Sequence, residues 1–292
     1  MPLWQGKSKA TTLGYRIFVG VLKYFGVFPA YFLLRFVAFY YFLFSYSSSK
    51  HILNFFHKRL GYGRMRAWSS LYKNYYLFGQ SLIDKIVVMS GIRNRFTFDF
   101  DGEEHLRKMV SDQQGGLLLS AHLGNWEIAG HLLKRLGTKI NIVMFDGEHR
   151  QIKKYLDKVT GERNVNVIVI RNDISHIYEI SDAFRNNELV CMHADRFVEG
   201  NKTISTNFLG ENARFPMGPF ILAAKFKVPV SFVFAMKETA THYHFFASGM
   251  KDYSGLEKDA VAGQMLEDFA ASMEKKVKQY PGQWFNYYNF WQ

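Results

Sequence analysis

The sequence predicts an α/β fold: a mixed, mostly parallel sheet covered by helices, preceded by an N-terminal membrane-associated helical segment. Three observations carry this. After about residue 95, short apolar runs of strand type alternate with stretches of helical period, and such alternation implies a parallel or mixed sheet covered on both faces. Residues 1–83 hold eleven Lys and Arg and no acid, Asp84 being the first. The same third of the chain is its most apolar part.

The charge is informative once it is located. The formal net charge is +12, yet beyond residue 83 the chain carries 26 bases against 25 acids, so nearly all the excess lies at the N-terminus. The apolar run at residues 30–44 is shorter than the ~20 residues that span hydrocarbon, and Arg35 interrupts it. With Pro29 at its start and Lys23 just before, it reads as a helix lying in or dipping into a membrane interface, where anionic lipid supplies the counter-charge. A buried core helix and a true span are the alternatives. A signal peptide fits less well, because the apolar stretch starts late and no small-residue cleavage pattern follows it. The compositional boundary near residues 84–95 divides a basic, aromatic-rich region, 1–90, from a catalytic region, 91–292.

The strand-type runs come in order. Residues 96–100 alternate like a half-buried strand, and 116–121 read as a buried central one. Further strands are expected at 140–145, 166–170, 189–194, 203–209, 230–236 and 242–247. Helices fit between and after them at 126–136, 150–160, 174–186, 218–226 and 258–279.

Composition narrows the function. Aromatic residues make up 17% of the chain, which suits contact with acyl chains or an interface. A single cysteine, Cys191, excludes an intramolecular disulfide or a cysteine-based zinc site and fits a reducing compartment. A nucleic-acid binder would interleave bases with stacking aromatics on a polar background, whereas these aromatics form continuous apolar runs. No Gly-x-Ser-x-Gly elbow and no phosphate-binding glycine pattern is present.

The chemistry centres on Ser120-Ala121-His122-Leu123-Gly124-Asn125-Trp126-Glu127. A buried strand ends at Ala121, Gly124 permits a tight turn, and Asn125 suits a helix N-cap. His122 then sits on a strand-to-helix turn at the C-terminal edge of the sheet, where open α/β folds place their ligands. Two residues five apart do not share a helix face, so Glu127 can reach His122 only if the histidine precedes the helix. A carboxylate so placed would fix the imidazole tautomer and leave the other ring nitrogen to take a proton. The spacing alone proves nothing: ten His and 25 acids in 292 residues supply about one such pair by chance, and a structural histidine at a helix start would look the same.

At these residues the chain resembles the bacterial lipid A late acyltransferases, a branch of the glycerolipid and lysophospholipid acyltransferase superfamily. The superfamily's hallmark is His, four residues, then Asp or Glu, commonly written in this branch as His-x-Gly-Asn-Trp-Glu after an apolar strand. The resemblance continues in Asp195-Arg196, Gly200, the turn Phe208-Leu209-Gly210, an apolar helix across 213–224, and Pro281-x-Gln283-Trp284-Phe285. It covers most of residues 20–290 in order, weakly at the N-terminus.

The resemblance implies transfer of a fatty acyl group from an acyl-thioester, on acyl carrier protein or coenzyme A, to a hydroxyl or amine of a lipid acceptor. His122 would be the general base oriented by Glu127, with no cofactor beyond the thioester co-substrate. Asn125, Asp195, Arg196, Arg214 and His149 are the candidate substrate contacts, Arg196 and Arg214 as cations for the developing oxyanion. The implied partners are membrane lipid and acyl carrier protein, and the implied location is the cytoplasmic face of a bacterial inner membrane. His193 and Asp195 share a strand face and with His122 and Glu127 offer metal-type ligands, but the resembling branch needs no metal.

Two departures concern acceptor contacts. The Arg-rich stretch with Asn-Pro that the branch usually carries is replaced by Phe145-Asp146-Gly147-Glu148-His149-Arg150. The His and Arg usual after the terminal Trp are replaced by Asn286-Tyr287-Tyr288-Asn289-Phe290-Trp291. The acceptor expected is therefore open to an aminoacyl lipid or a polyene pigment precursor, and a catalytically silent membrane scaffold is the non-enzymatic alternative.

Overall fold

The computed structural model describes residues 12–113, 115–145, 165–171, 173–198, 200–253 and 255–291. Four helices come first: α1 (Thr12–Phe25), α2 (Val27–Phe44), α3 (Tyr46–Asn54) and the long α4 (Arg64–Met89). Then follow β1 (Thr97–Asp101), α5 (Glu103–Ser111), β2 (Gly116–Ser120), α6 (Trp126–Leu132), β3 (Ile140–Phe145), β4 (Val165–Ile170), α7 (Ser175–Arg185) and β5 (Leu189–His193). The hairpin β6 (Thr203–Phe208) and β7 (Glu211–Pro216) leads to α8 (Gly218–Phe226), β8 (Val230–Lys237), β9 (His242–Ala247) and α9 (Lys258–Gln279).

Seven strands form one sheet in the order β1-β9-β8-β2-β5-β3-β4. Every pairing is parallel except β8 with β9, so the sheet is mixed and mostly parallel, as the alternation of elements predicts. β2 lies inside the sheet between β8 and β5, and all five of its residues are buried. That explains its unbroken apolar reading, since a strand covered on both faces shows no alternation.

Two elements differ from the sequence reading. The 126–136 helix is α-helical only to Leu132 and finishes as a 3₁₀ turn over Leu133–Leu136. Residues 211–216 form β7, a strand the sequence pattern does not reveal because its burial follows no clean period of two. Leu209 and Gly210 both take positive φ, 53° and 82°, between paired Phe208 and Glu211. This is the two-residue hairpin turn whose twist matches the flanking strands. The expected helix at 150–160, with His149, lies outside the described residues.

The N-terminal helices do not stand apart from the sheet. Ala38, Ile52, Phe56 and Leu71 belong to the same core cluster as Leu117, Leu119, Phe232 and Trp284. α2 buries Ala30, Tyr31, Leu34 and Ala38, a stripe of helical period, and leans closely on α4: a Cβ at Gly79 would collide with the Leu34 side chain. Its opposite face carries Phe28, Phe32, Phe36, Phe39, Tyr40 and Phe44, each 52–69% exposed. α2 is therefore not a buried core helix. It is the one helix among the described residues long and apolar enough to cross a membrane. At 18 residues it is about 27 Å long, close to the thickness of hydrocarbon.

Candidate active site

β2 delivers the chain to the site. After Ser120 the backbone turns through Ala121–Asn125 into α6, and Gly124 is required there twice. Its φ is +73°, and a Cβ would run into the carbonyl oxygen of Ala235 on β8. Glycine at this position lets the turn press on the neighbouring strand, where Asn125 N donates to Ala235 O at 2.7 Å. From the other side the C-terminal segment zips along the turn, with Gly124 N to Gln283 O at 2.9 Å and Phe285 N to His122 O at 3.0 Å.

His122 meets a carboxylate, and it is Asp195. The ring Nδ1 lies 2.8 Å from Asp195 Oδ1, and the His122 backbone N–H donates to Oδ2 at 2.9 Å. The sheet register produces this contact. β2 and β5 run parallel with Ser120 opposite His193, so the residues two further along each strand, His122 and Asp195, come abreast where both leave the sheet. Asp195 is 1% exposed. Burial pushes its pKa up, but the His122 ring and its hydrogen bond, with the Arg196 cation and His193, outweigh burial and hold the carboxyl below its ordinary range.

Glu127, the partner that the motif leads one to expect for His122, meets a cation. Glu127 sits in the first turn of α6 and faces α4, where Lys85 Nζ lies 2.7 Å from one carboxylate oxygen and 2.8 Å from the other. The histidine leaves the sheet toward β5 and the acid leaves toward the N-terminal helices. Asn125, expected to touch substrate, is 3% exposed and structural. Its Oδ1 caps α6 by accepting from Ile128 N, and its Nδ2 donates to Ser81 O and Tyr243 Oη at 3.0 and 3.2 Å.

Arg196 is beside the site, but its Nη2 donates to Phe285 O at 2.6 Å, which ties the C-terminal segment to the end of β5. Tyr288 adds to that tie by donating to Asp195 O at 3.0 Å. Burial, then the Asp195 charge, pushes its phenol well up, so it stays a donor. Arg214 lies on the separate hairpin, exposed, against Thr203 Oγ1 and the Phe197 ring. No group of three or more metal-type ligands is found among the described residues.

Two features go beyond the sequence reading, which placed His193 only as a metal-type ligand on the Asp195 face of its strand. The first is His193, whose ring centroid is 4.3 Å from that of His122 and 4.4 Å from that of Trp126. The second is a buried ion pair behind the turn. Lys237 Nζ lies 2.5 Å from Asp84 Oδ2, Tyr243 Oη donates to the same oxygen at 2.5 Å, and Tyr31 Oη donates to Oδ1. Burial raises the Asp84 pKa and lowers that of Lys237, each effect opposed by the partner's charge. The only signal for this cluster was that Asp84 is the first acid of the chain.

The class that fold and site define is an α/β protein with a mixed, mostly parallel sheet whose C-terminal edge presents a histidine hydrogen-bonded to a buried aspartate. Residues 73–292 match the model of the bacterial lipid A biosynthesis acyltransferase family, and the chain belongs to that family. It is 28% identical over 126 residues to a phosphatidylinositol mannoside acyltransferase of Mycobacterium tuberculosis strain H37Rv, a match over 42% of this chain and 39% of that protein. The same protein from strain CDC 1551 matches at 27% identity over the same shares. The chain thus spans about two fifths of the length of the curated relatives it matches. Among solved structures, the 1-acyl-sn-glycerophosphate acyltransferase PlsC of Thermotoga maritima superposes with a TM-score of 0.41 at 14% identity, covering 85% of this chain and 95% of that one.

Proposed function

We propose that the protein transfers a fatty acyl group from an acyl-thioester, on acyl carrier protein or coenzyme A, to a hydroxyl or amine of a membrane lipid. The observation that carries this reading is the 2.8 Å contact of His122 Nδ1 with Asp195. A carboxylate on Nδ1 fixes the tautomer in which Nε2 carries the lone pair and stabilises the imidazolium formed when that nitrogen takes a proton. Nε2 takes the acceptor's proton, the acceptor attacks the thioester carbonyl, the C–S bond breaks, and the imidazolium returns the proton to the departing thiolate. No cofactor takes part. Asp195 fills the orienting role that the motif alone assigns to Glu127, which with Lys85 fastens α6 to α4.

The exposed aromatic face of α2 and the basic N-terminal third support work at an anionic membrane surface, in this reading the cytoplasmic face of a bacterial inner membrane. The acceptor is a lipid other than the usual phosphorylated disaccharide, because the stretch Asn286-Tyr287-Tyr288-Asn289-Phe290-Trp291 replaces the His and Arg that the resembling branch usually carries after the terminal Trp. An aminoacyl lipid and a polyene pigment precursor are the acceptor classes this reading leaves. The decisive experiment is lipid mass spectrometry of a deletion strain complemented with wild type, His122→Ala or Asp195→Asn. One acylated species should vanish on deletion, return with wild type, and stay absent with either variant. Full restoration by His122→Ala would overturn the reading in favour of a silent scaffold.

A further inference from the structure

We infer that His193 is a second catalytic imidazole, whose ring N–H donates a hydrogen bond to the thioester carbonyl oxygen while His122 takes the acceptor's proton. The inference rests on the acyl-transfer reading above. It is carried by one juxtaposition: a single half-buried ring borders both the general base and an apolar cleft. His193 ends β5, tilted 55° against His122 and set perpendicular to Trp126, so neighbours on two sides hold its orientation. It also lines a narrow cleft between α6 and the sheet, with Trp126, Met144, Cys191 and Val233.

In this arrangement the thioester carbonyl lies where the His193 end of that cleft meets the His122 ring, next to the nucleophile that His122 deprotonates. Among the described residues, no hydrogen bond engages either ring nitrogen of His193. Burial, then the neighbouring His122, pushes its pKa well below the ordinary histidine value. The ring is neutral near pH 7, keeps one N–H, and does not compete as a charged acid. Two cations of neighbouring elements have other contacts, the Arg196 guanidinium donating to the Phe285 carbonyl and Lys85 pairing with Glu127.

The step balances. The acceptor oxygen or nitrogen loses its proton to His122 and bonds the carbonyl carbon, and the C=O pair moves onto oxygen, where the His193 N–H meets it. On collapse that pair re-forms C=O, the C–S bond breaks, and the thiolate takes the proton from His122. His193 neither gains nor loses a proton.

The test uses the full-length chain in a deletion strain, with initial rates of radiolabelled acetate entry into the acylated lipid that deletion removes. His193→Phe keeps a packed ring and loses the donor, and its rate should fall by about 10²- to 10³-fold, the usual loss when one oxyanion donor is removed. His193→Gln restores an N–H donor and should recover at least tenfold over the Phe variant. Protein amount and thermal midpoint are measured alongside, and if His193→Phe fails to fold, His193→Leu takes its place. A Phe or Leu variant within twofold of wild type, or a folded Gln variant no better than it, overturns the proposal. His122→Ala separates the two readings. If it is inactive while His193→Phe is fully active, only this inference fails; if it is active, the acyl-transfer site itself is wrong.

Discussion

Lys85 holds Glu127 at 2.7 Å while His122 leans on Asp195 at 2.8 Å, so the histidine and the acid of one short motif answer to partners on opposite sides of the turn. Substitutions should rank accordingly. His122→Ala and Asp195→Asn each lose about 10²- to 10⁴-fold in initial rate, with the folded, membrane-bound state retained. Glu127→Ala should cost far less, since what it removes is a tie between α4 and α6. The rates of the three variants, normalised to protein amount, check this. If Glu127→Ala were as dead as His122→Ala and Asp195→Asn nearly normal, Glu127 would be the working partner.

Asp195 also links the site to acid stability. Its folded pKa lies below the ordinary carboxyl value, so the stability it contributes is present above about pH 4, the value it takes in the unfolded chain. That stability is lost as pH falls through the lowered folded pKa. Denaturation of wild type and Asp195→Asn at pH 3 to 7 should show a wild-type advantage that shrinks below about pH 4. An advantage that stays constant to pH 3 would mean that Asp195 is not held ionised by its neighbours.

His193 titrates in the other direction. Burial and His122 lower its pKa, so between pH 6 and 8 its ring should give the nitrogen shifts of a neutral imidazole in histidine-labelled protein. Two protonated nitrogens at pH 6 would show that its surroundings do not exclude charge, and an acid limb of histidine type should then appear twice in the pH–rate profile.

The Asp84–Lys237 pair is 0% and 5% exposed at its two side chains and joins α2 through Tyr31, α4, β8 and β9. Removing one partner strands a buried charge, and Lys237→Met should destabilise by about 3–5 kcal/mol. The double variant Asp84→Leu with Lys237→Met should recover much of that loss. Chemical denaturation of wild type, single and double variants gives the coupling. Equal stability of single and double variants would mean that the pair carries no special interaction.

Membrane attachment is best tested on the exposed face of α2. Deleting residues 1–45 would also remove Tyr31 from Asp84 and Leu34 from Gly79, so release of the truncated chain would not separate lost lipid contact from lost packing. Replacing Phe32, Phe36, Phe39 and Tyr40 with Ser leaves the packed stripe intact and should release the protein from anionic vesicles. High salt alone should not release wild type, because it weakens only the ionic part, roughly 1 kcal/mol per nearby Lys or Arg. If salt alone strips wild type off and the Ser variant binds as before, the attachment is electrostatic and α2 is not inserted.

Much of the fold was legible before any coordinates. The strands at 116–121, 140–145, 166–170, 189–194, 230–236 and 242–247 are short apolar or β-branched runs bounded by turn residues, and each lies within a residue or so of its observed span. α4 was not legible as a helix. Its 26 residues mix buried Asn74, Gln80 and Asp84 with buried apolar side chains, which blurs the period that marks an amphipathic helix. Two of these buried polar residues have partners far along the chain, Asn74 on the carbonyls of Gly282 and Trp284, and Asp84 on Lys237.

What the sequence by itself determined was local: a buried strand, a glycine turn, a capped helix, and His122 on the turn between them. These follow from neighbours within a few residues, and any fold containing this segment would keep them. Which carboxylate serves His122 was decided only in three dimensions. Two acids were available, five and 73 residues away, and nothing in their spacing chooses between them. The choice comes from placing β5 beside β2 in parallel register, Ser120 against His193, which carries Asp195 to the imidazole, while α4 brings Lys85 to claim Glu127. Strand order and helix packing arise from burying apolar surface across the whole chain, and that summed effect leaves no mark at the two residues whose meeting it fixes.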